Sequence, residues 1–114
     1  MPETINQETP ETNKLKRACL VVEGLGIPVS EGKTLQKETP RYAIVRGNGQ
    51  EVVAADDTYI WREDRIQLEY YFTYKNGTEE EALEDALLSA GFMYSKSEDV
   101  FIDEEGIFVI YYDF

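Results

Sequence analysis

The chain has 114 residues, a formal net charge of −12, no histidine and a single cysteine, Cys19. This length fits one domain with a core of its own, and a lone cysteine excludes an internal disulfide. No stretch approaches the roughly 20 apolar residues of a membrane span, and the amino terminus lacks the apolar core of a secretion signal, so we expect neither insertion nor export.

The negative charge is concentrated in the last third of the chain. Residues 1–75 hold 12 acidic and 10 basic residues, net −2, whereas residues 76–114 hold 11 acidic residues and one basic residue, Lys96, net −10. Contact with a nucleic-acid backbone requires Lys and Arg, so such contact is not expected. The excess favours solubility, repulsion of DNA, mimicry of DNA, or contact with a basic protein surface.

The first part of the chain predicts a flexible arm followed by a helix. Residues 1–12 are polar and hold two prolines, so we expect a flexible arm there and a single α+β domain over 13–114. Thr12 or Asn13 is the predicted N-cap. The helix has one apolar stripe, and Gly24 and Gly26 can terminate it. The stripe consists of Leu15, Ala18, Cys19, Val22 and Leu25.

The middle of the chain reads as strands separated by turns. Residues 27–29 are a short extended piece and 30–40 a polar loop. We predict a strand over 41–46, a turn at Gly47-Asn48-Gly49, and a return strand over 50–54. Residues 55–65 are expected to mix a turn with a short apolar patch.

The clearest strand is Ile66–Tyr74, whose even positions, from Ile66 to Tyr74, are all apolar or aromatic and are expected on the buried face. Thr78 and Glu81 have the spacing of a capping box, in which each side chain satisfies an amide at the start of a helix. The inner face of that helix is predicted to hold Ala82, Leu83, Ala86, Leu87 and Ala90, and Gly91 suits its end.

The carboxyl-terminal part predicts a hairpin of residues 92–100 and 107–112, joined through 103–106. Residues 107–112 are apolar on both faces, which is typical of a central strand or of one covered by a partner. The element order is therefore α-β-β-(β)-β-α-β-β. We expect an α+β fold, a mixed, mostly antiparallel sheet of four to five strands with two packed helices.

The sequence offers little for catalysis or for metal binding. Without histidine it lacks the commonest general base and transition-metal ligand. Cys19 lies on the predicted inner face of the first helix and is interpreted as a core residue. The acidic pair Asp56-Asp57 and the run 103–105 lack the alternating ligand spacing of a calcium loop. We therefore predict no catalytic, cofactor-binding or metal site.

Aromatic residues are abundant in the second half, and a small core cannot bury all of them. Tyrosine and tryptophan combine a large contact area with a polar end, which suits protein interfaces, although ordinary cross-strand packing is the alternative. The candidate interface residues, which include polar residues of the predicted 47–58 turn and loop, are Asn48, Gln50, Glu51, Asp56, Asp57, Tyr59, Trp61, Tyr71, Tyr111 and Tyr112.

Several phrases, taken in order, resemble the small tail-terminator or tail-completion proteins of long-tailed bacteriophages that infect Gram-positive bacteria. The similarity covers about residues 14–114, and it rests on the order of elements and on short phrases. These phrases are Leu25–Val29, Pro40–Val45, Asp56–Tyr59, Ile66–Tyr74, the acidic helix 79–90, Phe92–Glu98 and Phe108–Phe114.

This resemblance implies a structural subunit without catalytic activity. Family members form a ring, expected to be a hexamer, that caps the head-proximal end of the tail tube and presents the surface that joins the head. The implied partners are copies of the chain itself, the tail tube protein and a head-completion or connector protein. DNA would pass through the ring without specific binding, no membrane would be involved, and the protein would be assembled in the host cytoplasm into the virion.

Other functions remain open at the level of sequence. A different phage head–tail connector or head-completion subunit would share the size and acidity. An acidic DNA-mimic inhibitor would explain the −10 charge of residues 76–114. A small hydrolase is the least supported alternative, because general bases are scarce.

Overall fold

The computed structural model describes residues 13–32, 40–55 and 59–114, the side chains at 55, 59 and 60 excepted. The predicted flexible arm 1–12 lies outside these ranges. The fold is α+β, as predicted, and it consists of two helices and a mixed six-stranded sheet. The elements are α1 Lys14–Gly24, β1 Val29–Glu31, β2 Tyr42–Ala55, β3 Tyr59–Phe72, α2 Gly77–Ser89, β4 Ser95–Lys96, β5 Val100–Ile102 and β6 Ile107–Asp113.

The strands are arranged in the order β1-β2-β3-β6-β4, and β5 also pairs with β6. Only the β1–β2 pair is parallel. β4 and β5 lie along the same side of β6, one after the other, which is why the sheet has more strands than the expected four to five. β6 is central, between β3 and these two short strands, as its two apolar faces predicted.

Both helices contribute to one core on one face of the sheet. Alternate residues of the three long strands point toward this face because side chains alternate along a strand. The core includes Ala18, Cys19 and Val22 from α1, Leu83 and Leu87 from α2, Ala43 and Val45 from β2, Ile66, Leu68, Tyr70 and Phe72 from β3, and Ile110 and Tyr112 from β6.

The predicted stripe and cap of α1 are confirmed. Asn13 is the N-cap, and its side chain accepts a hydrogen bond from the Lys16 amide at 3.0 Å. Ala18, Cys19 and Val22 are buried, and Leu15 and Leu25 pack against the core at partial exposure. Gly26 has φ +80°, which lets the chain turn away after the helix.

The predicted turn at residues 47–49 is wrong, because β2 runs straight through it. The register changes from Arg46↔Gln67 to Gln50↔Asp64, so β2 carries one extra residue, a β-bulge. Gly49 adopts φ +88°, a conformation that glycine accepts without strain. The predicted return strand 50–54 is instead the outer half of β2, and β3 begins at Tyr59, well before the predicted Ile66.

The two faces predicted for β3 are confirmed from Ile66 to Phe72. Ile66, Leu68, Tyr70 and Phe72 are at most 3% exposed. The predicted extension to Tyr74 is wrong, because the strand ends at Phe72 and Tyr74 is 84% exposed.

The predicted capping box of α2 is also wrong. The N-cap is Asn76, whose side chain accepts from the Glu79 amide at 3.1 Å, so the helix starts at Gly77, one residue before Thr78. Leu83 and Leu87 are buried as expected, whereas Ala82 is exposed and Glu80 is buried. Gly91 follows the helix with φ +91°, as predicted. Among the described residues, neither helix is long and apolar enough to cross a membrane.

Candidate protein-interaction surface

The face of the sheet opposite the helices is the candidate site, and we call it the open face. Within residues 13–32, 40–55 and 59–114, neither helix packs on it. The register places the alternate residues of the three long strands side by side on this face. They are Tyr42, Ile44 and Arg46 of β2, Gln67, Glu69 and Tyr71 of β3, and Val109, Tyr111 and Asp113 of β6.

The centre of the open face is apolar and closely packed. Ile44 is 7% exposed and Val109 is fully buried, yet neither belongs to the helix-side core. Val109 lies between Tyr71 and Val100 in register. Tyr42 stacks on Tyr71 with ring centroids 4.8 Å apart. These side chains form a second, smaller apolar layer beneath the exposed parts of the tyrosine rings.

A buried carboxylate lies within this apolar layer. Glu69 is only 5% exposed, and it accepts a hydrogen bond from Arg46 at 3.1 Å and from the Tyr71 hydroxyl at 2.8 Å. Burial, followed by the hydrogen bond to Glu69, raises the pKa of Tyr71 well above its ordinary value. The hydroxyl therefore stays protonated and keeps donating, which is how a buried carboxylate is satisfied.

Polar side chains border the open face at the end of β6. The Asp113 Oδ1 accepts from Gln67 at 3.1 Å and from Asn48 at 3.2 Å. Asn48 belongs to the bulge of β2, so the bulge directs its amide toward this border. An apolar centre with a polar border is the usual anatomy of a protein–protein contact surface.

The outer halves of β2 and β3 form a two-stranded ribbon, which we call the arm and define as residues 47–55 and 59–65. Within the described chain, no third strand pairs with the arm. The register carries the open face onto one side of it, where Glu51 and Glu63 face each other beside Arg65. The Arg65 guanidinium lies 3.7 Å from Glu51 and 3.8 Å from Glu63.

Some of the candidate interface residues from the sequence share this surface. Tyr71 and Tyr111 lie on the open face, Asn48 borders it, and Glu51 and Trp61 lie on its continuation along the arm. Gln50 lies on the opposite side of the arm, where its amide donates to Asp64 at 2.8 Å. Asp56, Asp57 and the side chain of Tyr59 lie outside the described residues.

The prediction that Tyr112 contacts a partner is contradicted by its burial. Its side chain is fully buried on the helix side of β6, and its hydroxyl donates to Glu84 of α2 at 2.8 Å. Burial and this hydrogen bond raise the pKa of Tyr112 strongly. The sequence could not show which of two adjacent tyrosines faces the helices, because both faces of β6 are apolar.

Sequence reasoning missed the β2 part of the site and the buried carboxylate. Tyr42 and Ile44 alternate with Ala43 and Val45, and this alternation was the available signal. Alternation puts Glu69 on the face of β3 opposite the predicted core, and nothing in the sequence indicates that it is buried there.

The other potentially reactive side chains, Cys19 and Glu80, lie in surroundings that suit a structural role. Cys19 is 8% exposed in the core, and burial raises the pKa of its thiol to about 11. Glu80 is 4% exposed, and Lys75 donates to it at 3.0 Å. Over the described ranges, no group of three or more potential metal ligands occurs.

The acidic helix α2 uses several of its carboxylates in internal contacts. Glu79 pairs with Arg41 and accepts from the Tyr70 hydroxyl. Glu84 lies 2.6 Å from the Lys96 ammonium group. These contacts hold α2 against the sheet and partly neutralise the carboxylates.

The chain matches no protein-family model and shows no significant similarity to a curated protein.

Proposed function

We propose that this protein is a non-catalytic assembly subunit that forms a ring at the head-proximal end of a phage tail tube, terminates the tube and presents the head-joining surface. One observation carries the proposal: an aromatic sheet face, on which neither of the two described helices packs, continues onto a projecting arm. The proposed partners are further copies of the chain, a tail tube protein and a head-completion protein.

The composition of the open face supports a protein partner. The open face presents three partly exposed tyrosines, Tyr42, Tyr71 and Tyr111, and tyrosine and arginine are enriched where proteins meet. The Glu69 carboxylate is already buried and paired with Arg46, so docking of a partner would not have to desolvate that carboxylate.

The arm supports a head-to-tail arrangement of copies. A two-stranded ribbon is only marginally stable in water, and its unpaired edges can accept further contacts. The arm and the body of the sheet are different surfaces, so a contact between the arm of one copy and the body of the next is heterologous. Such contacts close into rings when the rotation between copies allows it.

The charge of the chain is compatible with DNA passage. Six copies at −12 each would carry −72. A channel wall that shared in this charge would repel the DNA backbone, so the DNA could pass without adhering. A DNA-mimic function receives less support, because Glu79, Glu80 and Glu84 are engaged by Arg, Lys or Tyr side chains.

The proposal is tested by adding the purified protein to polymerising tail tube subunits and measuring tube lengths by electron microscopy. We expect shorter tubes with an added ring at one end. Native mass spectrometry of the protein alone should show a closed oligomer. Unchanged tube lengths together with a monomer at high concentration would refute the proposal, and a ring that attaches only to heads would instead identify a head-completion subunit.

A matched pair of variants tests the role of the open face. Tyr111→Lys places a charge in its centre, and we expect it to abolish the oligomer while circular dichroism stays unchanged. Tyr74→Lys makes the same change at a residue that is 84% exposed and lies outside the open face, and its oligomer should persist. Equal behaviour of the two variants would exclude the open face as the contact.

A further inference from the structure

The basic side chains of the described residues fall into two groups. Those of the first group lie 2.5–3.1 Å from a carboxylate, and they are Lys16, Arg41, Arg46, Lys75 and Lys96. The second group has no carboxylate of the described chain at such a distance. It holds Arg17, which donates to the main-chain oxygen of Ala90 at 2.7 Å, and Lys14, Arg62 and Arg65, of which Arg65 has contacts 3.7 and 3.8 Å long. In a chain of net charge −12, cations without close partners are unexpected.

Lys14, Arg62 and Arg65 line one cleft. It lies between the start of α1 and the root of the arm, has a volume of about 410 Å³, and is also lined by Glu63 and Asp64. A second cleft of about 320 Å³ shares Lys14 and Arg65 with the first and extends along the end of α2 to Met93, which is 86% exposed. We call the two together the basic cleft.

The charges within the basic cleft are only partly compensated. Lys14 donates to the main-chain oxygen of Asp64 at 2.9 Å, and the Asp64 carboxylate accepts from Gln50. Burial and the neighbouring Arg65 lower the pKa of Lys14. The cleft holds three cations against the two carboxylates of Glu63 and Asp64, so its lining keeps a formal charge of +1, which an added carboxylate would offset.

Exposed acidic side chains collect at the opposite end of the sheet. The turn between β5 and β6, residues 103–105, holds three acidic residues that are all exposed, and Glu81 of α2 is exposed at the same end. β6 spans the distance between this turn and the basic cleft, which at about 3.3 Å per residue is about 20 Å. The two charged surfaces thus lie at opposite ends of one subunit.

We propose that the basic cleft of one copy receives the acidic turn 103–105 of the next copy, in a head-to-tail contact. This inference rests on the proposed ring, and it names the surfaces by which neighbouring subunits recognise each other. Charge complementarity within one chain singles out a second copy as the occupant. Because the two surfaces differ and lie at opposite ends, the contact is heterologous, as a closed ring requires.

A charge-swap experiment tests the contact. The cleft variant is Arg62→Glu/Arg65→Glu, and the turn variant is Asp103→Lys/Glu104→Lys. Each variant alone opposes like charges at every contact, so we expect its association constant, measured by analytical ultracentrifugation, to fall at least tenfold. In an equimolar mixture every contact again joins opposite charges, so the oligomer should return with the two variants alternating, as native mass spectrometry can show.

The control is Asp85→Lys/Glu98→Lys, which changes two exposed acidic residues outside the turn by the same total charge. It should associate as the original chain does, because the mechanism is local and does not depend on net charge. A control that associates as poorly as the turn variant would overturn the inference.

The outcomes separate this inference from the proposed function. If both charge variants form rings as the original chain does, or if their mixture does not restore association, the cleft contact is refuted while termination of tubes can still be observed. If the original chain neither oligomerises nor shortens tubes, the proposed function itself fails, and the inference fails with it.

Discussion

Three tyrosine hydroxyls of the sheet donate to glutamate carboxylates, on both sides of the sheet. Tyr70 and Tyr112 donate to Glu79 and Glu84 of α2, and Tyr71 donates to Glu69 on the open face. On the helix side these bonds fix α2 against strands that it otherwise contacts through a few leucines. A buried hydroxyl bonded to a charged acceptor stabilises the fold more than a neutral pair does.

Removal of one hydroxyl measures this contribution. Tyr112→Phe keeps the ring in the core but deletes the donor to Glu84, which retains Lys96 at 2.6 Å. We expect the free energy of unfolding in urea to fall by about 1–2 kcal/mol. Tyr74→Phe, at an exposed residue, should change it by less than about 0.5 kcal/mol. A smaller loss for Tyr112→Phe than for the control would contradict this role.

The two asparagine–glycine pairs show what a sequence specifies at the scale of single elements and what it leaves open. Asn48-Gly49 and Asn76-Gly77 both carry turn chemistry, yet the first lies in a bulge within a strand and the second begins a helix. The two pairs have the same local preferences, for a positive φ or for a cap, and these preferences are compatible with both the bulge and the helix start. The pairing partner decides, because residues 50–55 pair with residues 59–64 of β3 and not with the part of β2 that precedes Gly47.

The bulge predicts a difference between two neighbouring glycines. An added Cβ meets no atom within 4 Å at Gly47 or at Gly49, so only the backbone distinguishes them. Gly49 has φ +88°, which costs an L-residue roughly 1–2 kcal/mol. Gly49→Ala should therefore lower the free energy of unfolding by about this amount, while Gly47→Ala should be neutral or slightly stabilising. Equal effects would exclude a bulge with a left-handed glycine.

The start of α2 predicts a second contrast. Asn76→Ala removes the side chain that accepts from the Glu79 amide, so it should cost about 1 kcal/mol of unfolding free energy. Thr78→Ala should be close to neutral, because Thr78 lies inside the helix and is not its cap. Thermal unfolding of both variants checks the assignment, and the reverse order would restore the capping box indicated by the sequence.

At the scale of the whole molecule, periodicity predicted the layers and failed to predict the site. The alternation from Ile66 to Phe72 and the stripe of α1 fixed the two sides of the core. Periodicity could not identify the open face, because Tyr42 and Ile44 indicate a contact surface only once both helices are known to pack on the other side of the sheet. The surroundings of Glu69 likewise depend on a neighbouring strand, because its partner Arg46 belongs to β2.

The buried cysteine thiol and tyrosine hydroxyls predict how the free energy of unfolding changes in alkaline solution. The pKa of Cys19 rises from 9.0 to about 11 on folding, and the pKa values of Tyr70, Tyr71 and Tyr112 are also raised above 10. A raised pKa contributes stability that is complete below the unfolded value and is lost as the pH climbs toward the folded value. The free energy of unfolding should therefore decline from pH 9 to pH 11.

Urea unfolding at pH 8 and at pH 10.5 checks this expectation. Cys19→Ala should remove the part of the decline that begins near pH 9, and Tyr112→Phe should reduce the part that begins near pH 10. A stability profile that stays flat up to pH 11 in the original chain would show that these groups ionise as readily in the folded protein as in the unfolded one.

The single extra residue of β2 determines which side chains of the arm lie on the same side of the sheet as the tyrosines of the open face. Before the bulge, the even-numbered residues of β2 lie on the same side of the sheet as the odd-numbered residues of β3. Beyond the bulge, it is the odd-numbered residues of β2 that lie on that side. If β2 instead alternated regularly through residues 47–50, with no bulge, Gln50 and Val52 would lie on that side and Glu51 and Val53 on the other. The outer half of β2 would then present its reverse side to any neighbour, with the same amino-acid sequence.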